Sequence, residues 1–341
     1  MATCLVIGDP HFKVDNVRET TLLAEKTMAL LEKRRPDFIV CLGDILDTHE
    51  KIHVGPLRRA VDWLHEMSKY APVYLIIGNH DRPHNSCFLT HEHAFTAVHL
   101  WPTVTVVDVV KTAVVKGQEF VFVPYVPPGR FIEALNTVRW KDARCIFAHQ
   151  EFHGCALGQA TSTEGDKWQL DYPLVISGHI HGYDRPQANI IYTGMPYCLK
   201  RNDYPPKTVS WFDLGKDVDN AQITTLGGFR LGEPKFETRI DLEIPKMEIF
   251  TMTCTAYRKD PPVLYAGSRL ILTGTQEEIK TAKRLISIKR LTEQGVRVQY
   301  LPLVAKALPQ TKVTIGFAAR LNQLVQGDAV LESWVARLNR L

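Results

Sequence analysis

Eight side chains of metal-ligand type stand just beyond short apolar runs: Asp9, His11, Asp44, Asn79, His80, His149, His179 and His181. The run 73–77 shows the pattern most sharply, because Gly78 ends it and Asn79, His80 and Asp81 follow at once. Two carboxylates, one amide and five imidazoles make an oxygen and nitrogen donor set without thiolate. That mixture suits Mn²⁺, Fe²⁺ or Zn²⁺ better than Mg²⁺, which prefers an all-oxygen shell. Eight groups exceed the needs of one ion. Two ions about 3.5–4 Å apart, sharing one carboxylate, would use them. Asp-x-His and His-x-His also put alternate side chains on one face of an extended segment.

The elements that must position these groups are short and apolar. Residues 3–7, 38–42, 73–77, 145–148 and 174–177 read as buried strands, and 17–34 and 55–69 have helical period. Three strand–loop–helix units in the first 80 residues imply βαβ crossovers and a parallel sheet. Open α/β sheets bind ligands at the carboxyl edge of such strands. The glycines at the strand ends are expected to let the backbone turn sharply there.

Beyond residue 98 the pattern becomes β-rich, with strands expected at 104–107, 113–115 and 120–125, then a helix over 130–139. The polar stretch 154–167 is expected to be a mobile loop near the site. Residues 190–194 and 209–212 read as antiparallel strands that continue a second sheet. The fold class is therefore α/β, a four-layer αββα sandwich. A polar stretch at 216–246 suggests domains at 1–245, 246–310 and 311–341. The second would be a small α/β unit with strands 250–256, 269–273 and 296–301 and a charged helix 276–294. The third would be a helical pair, 314–326 and 329–341, each with one apolar face.

With 341 residues, 45% hydrophobic and 23% charged, the chain has the composition of a soluble globular protein, and +4 permits an acidic partner without demanding one. Seven cysteines without CxxC spacing give no disulfide framework and point to a reducing compartment. A strand that starts at residue 3 leaves no room for a secretory leader, and no apolar run reaches the ~18 residues of a membrane span. A cytoplasmic protein, not secreted and not in a membrane, is expected. The remaining histidines, 49, 53, 65, 84, 91, 93, 99 and 153, read as ordinary residues, with His84 and His153 as possible supports for the site.

Gly8-Asp9-Pro10-His11, Gly43-Asp44, Gly78-Asn79-His80-Asp81, His149 and Gly178-His179-Ile180-His181 resemble, in order and spacing, the five motifs of the calcineurin-like metallophosphoesterase family. The resemblance implies one metal on Asp9, His11, Asp44 and His181. It implies a second on Asp44, Asn79, His149 and His179, with Asp44 bridging. A hydroxide between the cations would attack phosphorus in line. His80 would face the scissile phosphate without ligating, and Asp81 and Asp47 would orient neighbours behind the ligands.

Gly43-Asp44-Ile45-Leu46-Asp47, Phe122-Val123-Pro124-Tyr125 and Tyr192-Thr193-Gly194-Met195-Pro196 further resemble the SbcD-like exonucleases of double-strand-break repair, including short viral or phage versions. That resemblance implies a metal-dependent exo/endonuclease acting on DNA ends in repair, recombination or replication. Mn²⁺ would be the favoured ion, with Mg²⁺, Fe²⁺ or Zn²⁺ as alternatives. A homodimer and an SMC-type (SbcC-like) ATPase bound to the C-terminal helices complete the expectation. The alternatives are a phosphodiesterase of a small nucleotide or other non-DNA phosphoester, and a scaffold that has lost catalysis; a scaffold should have lost ligands, and all eight positions are filled.

Overall fold

A computed structural model describes residues 1–158, 160–199, 207–215, 235–245, 248–264, 268–303 and 331. The elements begin with β1 (Thr3–Ile7), α1 (Val17–Lys33), β2 (Phe38–Cys41), α2 (Val54–Ser68), β3 (Val73–Ile76) and β4 (Val104–Val107). Then come β5 (Lys111–Val115), β6 (Gln118–Val123), α3 (Phe131–Leu135), β7 (Cys145–His149), β8 (Ala156–Leu157), β9 (Ala160–Thr161) and β10 (Val175–Gly178). β11 (Asp184–Gln187), β12 (Ile190–Tyr192), β13 (Thr208–Asp213), β14 (Glu237–Asp241) and β15 (Ile249–Thr253) follow. The last are α4 (Cys254–Lys259), β16 (Arg269–Gly274), α5 (Gln276–Lys283), α6 (Ile286–Glu293) and β17 (Arg297–Pro302).

Two six-stranded sheets run in the orders β14-β13-β1-β2-β3-β4 and β11-β12-β10-β7-β6-β5. β1 to β4 are parallel, as are β6, β7, β10 and β12. Their strands are mostly apolar because both faces are covered. Leu5, Ile7, Ile39 and Leu75 pack on the side of α1 and α2, while Cys4, Val6, Phe38 and Val40 fill the space between the sheets. Phe38 reaches across to Phe120 (ring centroids 5.1 Å apart) and Phe147 (5.8 Å), so an aromatic cluster joins the sheets. The outer face of the second sheet is covered by α3 and by Trp140 and Trp168.

Several elements depart from the sequence reading. Residues 208–213 lie in the first sheet, antiparallel to β1 with Leu5 opposite Trp211. Trp211 faces the helices and Phe212 the other sheet, so the segment carries two apolar faces that would suit either sheet. β12 does join the second sheet, but parallel to β10; its antiparallel neighbour is β11. The helix expected over 130–139 stops at Leu135, where Asn136, Thr137 and Val138 are poor helix formers and Trp140 turns into the core. The stretch 154–167 carries the β8–β9 hairpin. Strand 250–256 ends at Thr253, whose hydroxyl accepts from Ala256 N and starts α4. The helix expected over 276–294 is two helices, the first opened by a Thr275/Glu278 capping box.

The chain forms two compact units, one from Met1–Phe250 with Leu264–Arg269 and Glu293–Arg297. The other takes Thr251–Val263, Leu270–Thr292 and the described part of Val298–Leu341. It holds the sheet β15-β16-β17 and α4 to α6. The expected helical pair at 314–341 lies, apart from Leu331, outside the described residues. No disulfide joins any of the seven cysteines. Among the described residues no helix is long and apolar enough to cross a membrane.

Candidate metal centre

Asp9 and His11 follow β1, Asp44 follows β2, Asn79 and His80 follow β3, His149 ends β7, and His179 and His181 follow β10. Their side chains converge in two groups. In one, His11 Nε2 faces His181 Nε2 at 3.0 Å beside Asp9. In the other, His149 Nε2 lies 3.3 Å from Asp44 Oδ1 and 3.0 Å from Asn79 Oδ1, and His179 Nδ1 lies 3.0 Å from the same amide oxygen. Asp44 touches both groups, for its Oδ2 is 3.7 Å from His11 Nε2. Each group draws on both sheets. Asp9, His11, Asp44, Asn79 and His149 are buried, and His179 and His181 are half-buried.

The backbone is bent to present these groups. Asp9, His11, Asp44 and His179 all have positive φ, between 41° and 81°. Such conformations cost about 1–3 kcal/mol each and persist where the surroundings hold them. The strand-end glycines answer a different need from the turning expected of them at Gly78, where a Cβ would lie 2.3 Å from Asp44 Oδ1; at Gly43, φ is indeed +100°. Asp81 fastens two strand ends together, accepting from Gly78 N (3.0 Å), Ile45 N (3.2 Å) and Leu46 N (2.9 Å).

Backbone carbonyls select which nitrogen of His149 and of His80 faces the site. His149 Nδ1 donates to Leu42 O at 2.7 Å, which turns Nε2 inward. His11 Nδ1 lies 3.4 Å from Asp47 Oδ1 and Nε2 again points to the site. His80 Nδ1 donates to Asp47 O at 2.9 Å, and its Nε2 sits 4.0 Å from Asp44 Oδ2. Backbone N–H groups of His80 and His179 donate to Asp44 Oδ1 and Asp9 Oδ1.

The electrostatics show a site that wants positive charge. Burial, helped by the Asp44 charge, pushes Asp9 up to about 7. Burial also pushes Asp44 up, but the His149 and His11 imidazoles outweigh it and hold Asp44 well below the usual carboxylate range. Burial disfavours charge on His149, yet Asp44 overrides it and raises that histidine to about 9. Asp9 Oδ2 is buried with no hydrogen-bond partner among the described residues. An orphan carboxylate oxygen, facing imidazole nitrogens and a shared carboxylate fit two divalent cations.

Three neighbours escaped the sequence reading. His49 stacks on His80 with centroids 4.5 Å apart. Tyr125 lies against His179, with centroids 5.8 Å apart. Glu151 Oε2 is 3.7 Å from His179 Nε2. Glu151 carried a signal, since it stands two residues after His149 in a chain leaving a strand, and Tyr125 closes the motif Phe122-Val123-Pro124-Tyr125. His84 and His153 are exposed, with His84 bonded to Ser86.

A further cluster surrounds Asp108, just past β4. His91 Nδ1 (2.6 Å), His99 Nε2 (3.2 Å) and His93 Nε2 (3.5 Å) all face its Oδ2, and Lys111 Nζ is 3.9 Å from Oδ1. Phe95 N donates to His93 Nδ1 at 3.1 Å, which leaves that ring's own proton on Nε2, toward the carboxylate. A cavity of about 650 Å³ lies elsewhere, lined by Lys141, Arg144, Asp171 and Tyr172 among others, and includes none of the clustered ligands.

A family model described as Calcineurin-like phosphoesterase matches residues 2–183, which contain every residue of both ligand groups. The chain belongs to the calcineurin-like phosphoesterase family. This phosphoesterase is 37% identical over 351 residues to "Putative phosphoesterase 078R" of Invertebrate iridescent virus 3, covering 96% of this chain and 94% of that protein. It is also 37% identical over 288 residues to "Putative phosphoesterase 244L" of Invertebrate iridescent virus 6, covering 82% of this chain and 96% of that protein. Among solved structures, Pseudomonas putida nuclease MPE is similar over 61% of this chain and 83% of that chain, at 16% identity and a TM-score of 0.29. That likeness is too slight to bear on the phosphoesterase's activity.

Proposed function

We propose that this phosphoesterase is a two-metal phosphodiesterase acting on DNA ends, the nuclease subunit of an SbcCD-like repair or recombination complex. The observation that carries the hydrolytic reading is a pair of ligand groups sharing Asp44, with His80 beside them and its side chain 31% exposed. When bound, two divalent cations supply Lewis acidity toward a phosphoester oxygen and a nucleophile at neutral pH. Asp9, His11, Asp44 and His181 would hold one ion, and Asp44, Asn79, His149 and His179 the other. The donor set favours Mn²⁺ over Mg²⁺.

The chain's own contribution is placement. Asp47 O accepts from His80 Nδ1, which leaves Nε2 as the ring atom turned toward the site; with a second proton on Nε2 the ring would donate to a phosphate oxygen or to the leaving group. His49 keeps that ring in plane by stacking. The DNA reading is supported by the SbcD-like motifs around Asp44, Tyr125 and Tyr192 and by the +4 charge. A homodimer and an SMC-type ATPase partner belong to the same proposal.

The purified full-length chain, supplied with Mn²⁺, is to be incubated with end-labelled duplex and single-stranded DNA. A dinucleotide and bis-p-nitrophenyl phosphate run in parallel, with Asp9→Asn as the blank. Shortening of labelled DNA that the blank lacks is the expected result. Hydrolysis of the small diesters with DNA left intact would move the substrate to a nucleotide. No hydrolysis of any of them would sink the enzymatic reading.

A further inference from the structure

Of the ligands in the second group, His179 is held least by its own sheet. It has positive φ, its side chain is 22% exposed, and its ring is not fastened by a backbone carbonyl as His149 is. What faces its outer nitrogen is a carboxylate. Glu151 Oε2 lies 3.7 Å from His179 Nε2, while His179 Nδ1 points at Asn79 Oδ1, 3.0 Å away. Both neighbours of the ring are acceptors, so with a cation in place of the Nδ1 proton the remaining ring proton belongs on Nε2, toward Glu151.

Glu151 is itself held in place. Its Oε1 accepts from Ser162 Oγ at 2.5 Å. Ser162 is buried, and Gly165 N donates to the same hydroxyl at 3.0 Å, which turns the hydroxyl proton toward Glu151. The Glu151 carbonyl accepts from Asp166 N at 2.9 Å. Asp166 in turn accepts from Gln150 Nε2 (2.8 Å) and Gly129 N (3.1 Å). The turn from 151 to 166 is thus tied back on itself, and one oxygen of Glu151 is left over for the imidazole.

We propose that Glu151, braced by Ser162, is a positioning residue that sets the tautomer and orientation of His179 and thereby the affinity of the second metal. The proposal rests on the two-metal reading above. Carboxylates behind a ligating imidazole fix the ring and raise its basicity, and their loss typically costs about 10–100-fold in metal affinity. The first group, on Asp9, His11 and His181, has no contact with Glu151 among those described and should not respond.

The test is calorimetric titration of the metal-free full-length chain with Mn²⁺, beside its thermal unfolding without metal. The parent is expected to bind two ions. Glu151→Ala should keep one affinity and weaken the other about 10–100-fold, with metal-free unfolding little changed. Glu151→Gln keeps an acceptor but loses the charge, so it should fall between parent and Glu151→Ala. Equal weakening at both sites with a lowered unfolding temperature would mean a general structural role and overturn the proposal, as would unchanged affinities. If Glu151→Ala does not fold, Glu151→Gln alone decides, and parent-like affinity at both sites overturns it. A parent chain that binds fewer than two ions overturns the two-metal reading first, and this proposal with it.

Discussion

Asp44 and Asp108 each stand just past a parallel strand of the first sheet, and each is surrounded by imidazoles. Around Asp108 one nitrogen of each of three rings faces the carboxylate, one ring's proton is directed there by Phe95 N, and Lys111 adds a further cation. These contacts pin segment 91–99 to the end of β4, while Asp108 Oδ1 and His93 Nε2 are buried without a hydrogen-bond partner among the described residues, and His93, His99 and Asp108 lie close enough together to hold a cation. Around Asp44 the nitrogens face one another as much as the carboxylate, two groups of side chains share that carboxylate, and the Asp44 charge pushes His149 up to about 9. Histidine and aspartate content does not separate a metal centre from a structural clamp. The sharing of one carboxylate between two groups, seen at Asp44 and not at Asp108, does.

The comparison can be broken most forcefully at the two carboxylates. Asp44→Asn should lower hydrolysis on the order of 10³-fold or more, because both cations lose a shared ligand. Asp108→Asn should leave turnover essentially unchanged while lowering stability by about 1–3 kcal/mol, the cost of an unsatisfied buried polar group. Assays on a chromogenic diester and thermal unfolding read the pair, and equal effects on turnover would erase the distinction.

His80→Ala should reduce kcat by about 10²- to 10⁴-fold while two ions still bind. Asn79→Ala should instead weaken one ion. Rate measurements at saturating Mn²⁺ alongside metal titration separate the two, and loss of metal from His80→Ala would make that residue a ligand.

Acidity gives the next largest effect. His149 holds its proton to about 9 in the folded metal-free chain against an ordinary 6.5, and Asp9 to about 7 against 3.8. Each binds its proton more tightly folded than unfolded. Their contribution to stability is therefore full at low pH, and is lost as pH rises through 4–7 for Asp9 and 6.5–9 for His149. The metal-free chain should unfold at lower temperature at pH 9 than at pH 6. Metal must displace the same protons, so affinity for the ion beside His149 should rise about tenfold per pH unit up to about 9, and affinity for the ion beside Asp9 up to about 7. A flat affinity profile would refute the assignment.

Elemental analysis of the loaded protein should find two ions per chain, and His93→Ala with His99→Ala should not change that number. Three ions would mean that the Asp108 cluster is a metal site after all. The smallest effect is expected at His49, where alanine should cost only a few-fold in kcat, since it removes a stacking partner and no reacting group.

The convergence of these side chains was legible in the sequence because each adjoins a buried strand, and two-sided burial leaves an apolar run that ends abruptly at polar residues. The sheet in which residues 208–213 lie was not legible. That pairing joins positions 3 and 213, and nothing in a short segment with two apolar faces encodes its partner. The clamp at Asp108 and the stack of His49 on His80 were hidden for a related reason. They arise where loops close on one another, and no periodicity governs side chains there. Glu151 falls between these cases, with a spacing that hinted at the right face and a role visible only through Ser162 and His179.

Each ligand group takes residues from both sheets: Asp9 and His11 with His181 in one, Asp44 and Asn79 with His149 and His179 in the other. A cation in either place is therefore a rivet through the sandwich as well as a reagent. Ligand binding to the folded state alone adds stability by mass action, about 2.7 kcal/mol at a hundred times the dissociation constant. A chelator would then act on this protein as a mild denaturant, loosening the seam between two sheets whose own strands it never touches.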